Sequence, residues 1–270
     1  MDVYNNQVAQ RILFNKYRNI RGGAEGFSYR DAGFRVFSQN DEDGILLYIF
    51  SKIGFTNKLL VDIAFASPIN SNTANLLCNW GFYGLLVEGN PQGLESSRSF
   101  FASCPDTSIL PPELVCHWVT AENINEILLA HSFSGEIDLF SLDVDGVDYW
   151  LWNALDAVNP RVVVVEAVAY LGNEYEVTVP YKPDFDRHDI DPAYFGASIP
   201  AFVKLAREKG YRLVACNKFG FNLFFVRNDI APNLLPEIPS SDCFGWEPEV
   251  LKARRREAFA KICQYPWVQV

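Results

Sequence analysis

Residues 58–90, KLLVDIAFASPINSNTANLLCNWGFYGLLVEGN, read as a strand, a loop, a helix and a second strand that ends in an acid. Leu59 to Ile63 form a continuous apolar run of strand type. Asn75 to Trp80 carry apolar residues at helical spacing behind the capping candidates Asn72 and Thr73. Leu85 to Val87 make a second buried strand, and Glu88 closes it. That acid stands about twenty residues beyond the first loop, where a nucleoside-binding α/β domain places the carboxylate that accepts from ribose hydroxyls. The loop itself, Ala64-Phe65-Ala66-Ser67-Pro68, has none of the glycines that let backbone approach such a ligand. Alanine is tolerated there if φ stays negative, and Phe65 and Pro68 suggest a reshaped loop.

Outward from this crossover, strands and helices alternate. Leu114 to Val119, Ile137 to Leu142 and Arg161 to Glu166 read as strands three to five. The consecutive valines of the fifth suit a strand buried on both faces. Helices are expected over Gln7 to Tyr17 (with Val8, Ile12, Leu13 and Phe14 buried), Ile45 to Ile53, Glu95 to Ala102, up to Ala130, over YWLWNAL from Tyr149, and over Ser198 to Lys209. RGGAEG (residues 21–26), Pro105 to Pro112 and Tyr170 to Ala193 read as connections. YRLVACN and FNLFFVR close a C-terminal antiparallel hairpin, and Glu249 to Ile262 form a basic surface helix. The expected fold class is α/β: a doubly wound, Rossmann-like, seven-stranded and mainly parallel sheet. The expected organisation is a helical extension over 1–36, the α/β domain over 37–230 and a C-terminal extension over 231–270.

Composition narrows the function. With 33 acidic against 23 basic residues, a net charge of −10 and no basic run longer than Arg254-Arg255-Arg256, the chain is not expected to bind nucleic acid. No stretch approaches the length of an apolar transmembrane span, and the N-terminus lacks a signal-type apolar core. The six cysteines show no CxxC pair and read as buried free thiols of a reducing compartment, so a cytoplasmic protein without membrane association is expected.

The blocks SQNDEDGILLYIF, NSNTANLLCNWGFYGLLVEGN, VTAENINEIL, SLDVDGVDYWLWNAL, VPYKPDF, YFGAS and KGYRLVACN…GFNLFFVR, in this order over residues 37–229, resemble the FkbM-type class I S-adenosylmethionine-dependent methyltransferases. The resemblance implies a seven-stranded fold with a C-terminal hairpin, S-adenosylmethionine as cofactor, and O-methyl transfer to a small molecule or a carbohydrate hydroxyl. For cofactor binding it implies ribose recognition by Glu88 with Asn90 beside it and adenine-side contacts from Thr120, Ala121 and Glu122. Gln39, Asp62 and Asp143 would lie near the methionine part, with Ala64 and Asn72 on the first loop. A homodimer is compatible with it.

Ligands of parallel sheets bind beyond the carboxyl ends of the strands, so Asp143, Asp145, Asp148 and Glu166 share one rim. Converging acids must be paired, protonated or bound to a cation. One reading is a divalent metal on Asp143, Asp145 and Glu166; another is a raised-pKa general base, with Asp143, Glu166 or His188 taking the proton. Asp148 is expected to cap the helix from Tyr149. Gln39 and Asp43 either contact ligand or place charge against a helix dipole. His188 is a solvated loop residue or a partner of Asp186, Asp189 and Asp191; His117, within strand three, and His131 read as structural. Tyr149, Trp150, Trp152, Tyr181 and Tyr194 read as substrate walls or, for the tryptophans, core. Two other functions stay open: metal-dependent or other non-methyl chemistry on this fold, and a non-catalytic binding homologue.

Overall fold

The computed structural model describes residues 3–20, 27–244 and 248–270. The connection RGGAEG lies outside them. The elements are α1 (Val3–Asn19), α2 (Glu42–Ile53), β1 (Leu59–Ile63), α3 (Ala74–Trp80), β2 (Tyr83–Glu88), α4 (Pro91–Ser103), α5 (Pro105–Ile109), β3 (Glu113–Cys116), α6 (Ile124–Ala130), β4 (Gly135–Leu142), α7 (Asp148–Ala154), β5 (Val158–Glu166), β6 (Val177–Thr178), α8 (Ile199–Glu208), β7 (Tyr211–Cys216), β8 (Asn222–Arg227), α9 (Glu249–Ile262) and β9 (Val268–Gln269). Seven strands join in the order β3-β2-β1-β4-β5-β8-β7, with the first five parallel and β8 antiparallel to both neighbours. The expected fold class is therefore the observed one.

Burial accounts for the sheet. Val162 to Val165 are fully buried, as the valine run requires. At the opposite end from the ligand rim, the fully buried Asp138 accepts from the backbone N–H groups of Thr56, Asn57 and Lys58 and from the Arg161 guanidinium at 2.6 Å. Arg161 in turn donates to the carbonyls of Ile53 and Gly54, which close α2. One buried ion pair thus fixes the turn between α2 and β1 against β4 and β5.

Several expectations are corrected. On α1 the side chains of Val8 and Ile12 are exposed, whereas Gln10 is buried between α1 and α3, bonded to Asn75 and to the Trp80 indole. Leu13 and Phe14 do pack on the core, Phe14 against Phe55 and Trp80, and Gln10 adds a polar contact that apolar periodicity cannot register. Residues 105–112 contain α5, and the segment 170–193 contains β6, whose antiparallel partner β9 comes from the chain's far end. β3 stops at Cys116, paired to Glu88 at the end of β2, so His117 to Val119 leave the sheet. Cys116 and Cys263 are exposed; the other four cysteines are buried, and all six are free. None of the described helices is long and apolar enough to cross a membrane.

Candidate functional site

The ends of β1, β2 and β4 and the residues after β3 surround a cavity of about 280 Å³. Ile63 and Ala64, Val87 to Asn90, and Val144, Gly146 and Val147 come from the three strand ends, and His117 to Val119 form the wall that the shortened β3 releases. Pro183 and Phe185 close it from the long loop, where the Trp118 indole donates to the Pro183 carbonyl at 2.7 Å. His117 is thus a wall residue and not part of a strand.

The glycine-free loop keeps a glycine-type backbone. Ala64 and Ala66 have φ of 59° and 54°, and Asn70 has 85°. The condition of negative φ is not met at either alanine, and bonding on both sides holds them. Ala64 N–H donates to the Val87 carbonyl, and Ala66 N–H to the Glu88 carboxylate at 2.8 Å. Left-handed backbone costs an alanine about 1–2 kcal/mol, offset in part by the smaller entropy of its unfolded chain. Ala64→Gly and Ala66→Gly are each expected to raise stability by roughly 0.5–1 kcal/mol in denaturant titration; a loss of stability in both would show that the turn is unstrained.

Glu88 accepts from Ala66 N–H through one oxygen and from Asn90 N–H through the other. Each oxygen keeps a lone pair for a further donor. Asn90 lines the cavity and caps α4, accepting from Gln92 N–H. Asp62 is buried below, taking a 2.6 Å bond from the Thr73 hydroxyl and a longer one from Ser71, and burial pushes its carboxyl up to about 6. Ser71, not Asn72 or Thr73, accepts from the backbone at the start of α3. Thr120, Ala121 and Glu122 lie off the cavity wall and are tied elsewhere: Thr120 N–H bonds the Asn123 side chain, and the Tyr181 hydroxyl joins Ala121 N–H to Glu122.

Two of the SQNDED acids, Glu42 and Asp43, stand in the first turn of α2, and all three acids accept hydrogen bonds from the chain itself. Asp43 accepts from the N–H groups of Val36, Phe37 and Ser38. Asp41 accepts from Lys218 N–H, and the fully buried Glu42 from the amides of Asn217 and Asn222. Together they clamp the β7–β8 turn. Gln39 is exposed.

Beyond β4 and β5, oxygens of the half-buried Asp143, Asp145 and Glu166 lie within 4.8 Å of one another. Asp143 and Glu166 share a side-chain hydrogen bond. Exclusion of water pushes the Asp143 carboxyl up to about 8, with the carboxylates of Asp148 and Asp145 adding to it. The same burial, and then Asp143, hold Glu166 well above the usual carboxylate range. The pair therefore retains a proton at neutral pH. Asp145, at φ 54°, is ion-paired to Arg187 at 2.6 Å. Asp148 does not cap its helix; its carboxylate turns back onto the N–H groups of Val144 and Gly146 and shapes the loop after β4. His188 is largely exposed and bonded to Asp186, while its neighbour Arg187 is the loop's contribution to the acids. His131 bonds Glu113.

Glu166 also lines a second cavity, of about 430 Å³, between the β7–β8 turn and α9. Tyr170, Phe195, Phe219 and Phe221 are its aromatic walls, and Leu251 and Arg254 its α9 side. Trp152 is core, against Phe202 and Phe225, and Tyr149 and Tyr194 are buried. The Trp150 indole is bonded to the Val179 carbonyl. None of the aromatics expected as walls lines either cavity. The sequence did hold a signal for the real ones, in the Phe219-Gly220-Phe221 tip of the hairpin. Gly220 has φ 70°, and a Cβ there would stand 2.3 Å from the Cys243 carbonyl, so only glycine fits between the two rings.

No family model and no curated protein matches the chain. Among solved structures it is similar to precorrin-6y C5,15-methyltransferase from Geobacter metallireducens, with TM-score 0.40, 17% identity, and coverage of 72% of this chain and 90% of that one. The glycopeptide N-methyltransferase MtfA complexed with sinefungin gives 0.43 and 11%, covering 80% and 94%. Spermidine synthase from Thermotoga maritima gives 0.37 and 15%, covering 74% and 68%. These likenesses concern the arrangement of strands and helices alone.

Proposed function

We propose that the protein transfers a methyl group from S-adenosylmethionine to a hydroxyl oxygen of a small molecule or carbohydrate. The observation that carries this reading is the close Asp143–Glu166 carboxyl pair, whose oxygens lie within 4.8 Å of each other beside two cavities. Val144, next to Asp143, lines the first, and Glu166 lines the second.

The first cavity fits the cofactor by the chemistry of its walls. Val87, Val144, Trp118 and Phe185 offer apolar and aromatic faces to a purine, and Glu88 at a strand end retains acceptor capacity for ribose hydroxyls. When bound there, S-adenosylmethionine supplies an electrophilic methyl group. The chain's own residues position the acceptor, exclude water and remove its proton. In the proton-free form, Asp143 or Glu166 accepts the hydroxyl proton as the oxygen attacks, which general-base catalysis makes worth about 10²–10⁴ in rate. A base must be unprotonated to act. The transfer rate is therefore expected to rise with pH through about 8 and level above it. Mass spectrometry of hydroxylated sugars and phenols incubated with the cofactor across pH checks this, and a rate independent of pH would contradict it.

A second reading places a divalent cation on Asp143, Asp145 and Glu166. Their 4.8 Å clustering favours it. Against it, the Asp143–Glu166 proton and the Arg187–Asp145 pair already balance the charge. A chelator that leaves transfer intact separates the two.

A further inference from the structure

The second cavity has a chemistry of its own, separate from proton removal. Its two aromatic walls differ in form. Phe219 and Phe221 lie parallel, 5° apart in plane with centroids at 6.3 Å, while Tyr170 and Phe195 meet edge to face at 6.4 Å. Such faces hold flat rings or the apolar face of a sugar.

Charge decides more. In a chain of net charge −10, α9 gathers Lys252, Arg254, Arg255, Arg256 and Lys261. Lys252 is paired to Glu249 and Lys261 to Glu257, and Arg255 is bonded to the Phe219 carbonyl and lies over the Phe244 ring. Arg254 lines the cavity and has no ion pair among the described residues. An unpaired guanidinium beside aromatic walls is complementary to an anion carried on a ring.

We infer that this cavity binds a hydroxylated ring compound bearing a carboxylate or phosphate, with the ring between the aromatic pairs, the anion at Arg254 and a hydroxyl toward Glu166. The identification of this compound as the methyl acceptor rests on the function proposed above; its binding does not.

The test compares probes that share a ring and differ in bearing an anion: para-hydroxybenzoate with its methyl ester, and glucuronate with glucose, by ligand-observed NMR titration of the full chain. The anionic member of a pair is expected to bind about tenfold tighter or more. Arg254→Gln should remove the difference, and Arg256→Gln, on the same helix and off the cavity wall, should keep it. Equal binding within both pairs, no binding of either anion at millimolar concentration, or an equal loss in Arg256→Gln overturns the inference. Titration of the same samples with S-adenosylhomocysteine keeps the two ideas apart. Anion discrimination without cofactor binding leaves this site standing and removes the transfer, and the reverse removes only this site.

Discussion

Asp143→Asn is expected to lower kcat/KM for methyl transfer by about 10²–10⁴. Fold should be retained, because Asn is isosteric and the site already holds a proton at neutral pH. The stability of the two proteins should diverge with pH. The Asp143 carboxyl sits at about 8 when folded, above its ordinary value of 3.8, so the folded state holds a proton that the unfolded state has released between those values. Its contribution is present below the ordinary value and is lost as pH rises through about 8. Asn cannot ionise and loses nothing. The variant should therefore gain most over the parent at about pH 9 and least at about pH 5 in thermal melts. A variant that is inactive but equally shifted in Tm at both pH values would locate the defect in packing instead of ionisation.

Asp138→Ala is expected to destabilise the fold by about 3–5 kcal/mol, the cost of leaving a buried charge without its partner. Arg161 would remain near the sheet facing only the carbonyls of Ile53 and Gly54, and three backbone N–H groups at Thr56, Asn57 and Lys58 would lose their acceptor. This pair lies at the strand ends away from both cavities. The substitution should thus lower the midpoint of urea unfolding while leaving kcat/KM of the surviving folded protein unchanged. A loss below about 1 kcal/mol would mean that water replaces the carboxylate.

The sheet was legible because its strands are buried on both faces and read as unbroken apolar runs, as in Val162 to Val165. The rim acids were legible because topology alone places strand ends together. What was hidden depended on partners. The run from Leu114 to Val119 is mostly apolar, but β2 ends opposite Cys116; His117 N–H still bonds the Glu88 carbonyl, and beyond it the chain turns away, so His117 to Val119 become cavity wall. β6 is two residues long and finds its partner at Val268–Gln269, a distance no local pattern spans. The SQNDED acids look alike in sequence, and only the backbone around them reveals that Asp41 and Glu42 hold a hairpin tip while Asp43 holds residues 36–38. The conformation of the glycine-free loop was hidden because residue type constrains φ only as a preference; hydrogen bonds from Ala64 and Ala66 hold both alanines left-handed.

The cavity between Glu88, Trp118 and Val144 is the site proposed for S-adenosylmethionine. Calorimetric titration with S-adenosylhomocysteine tests it most directly. Saturable binding at one site is expected, weakened at least about tenfold by Val144→Trp, whose indole would fill the cavity. No heat of binding at millimolar ligand, or binding that Val144→Trp leaves unchanged, would contradict it.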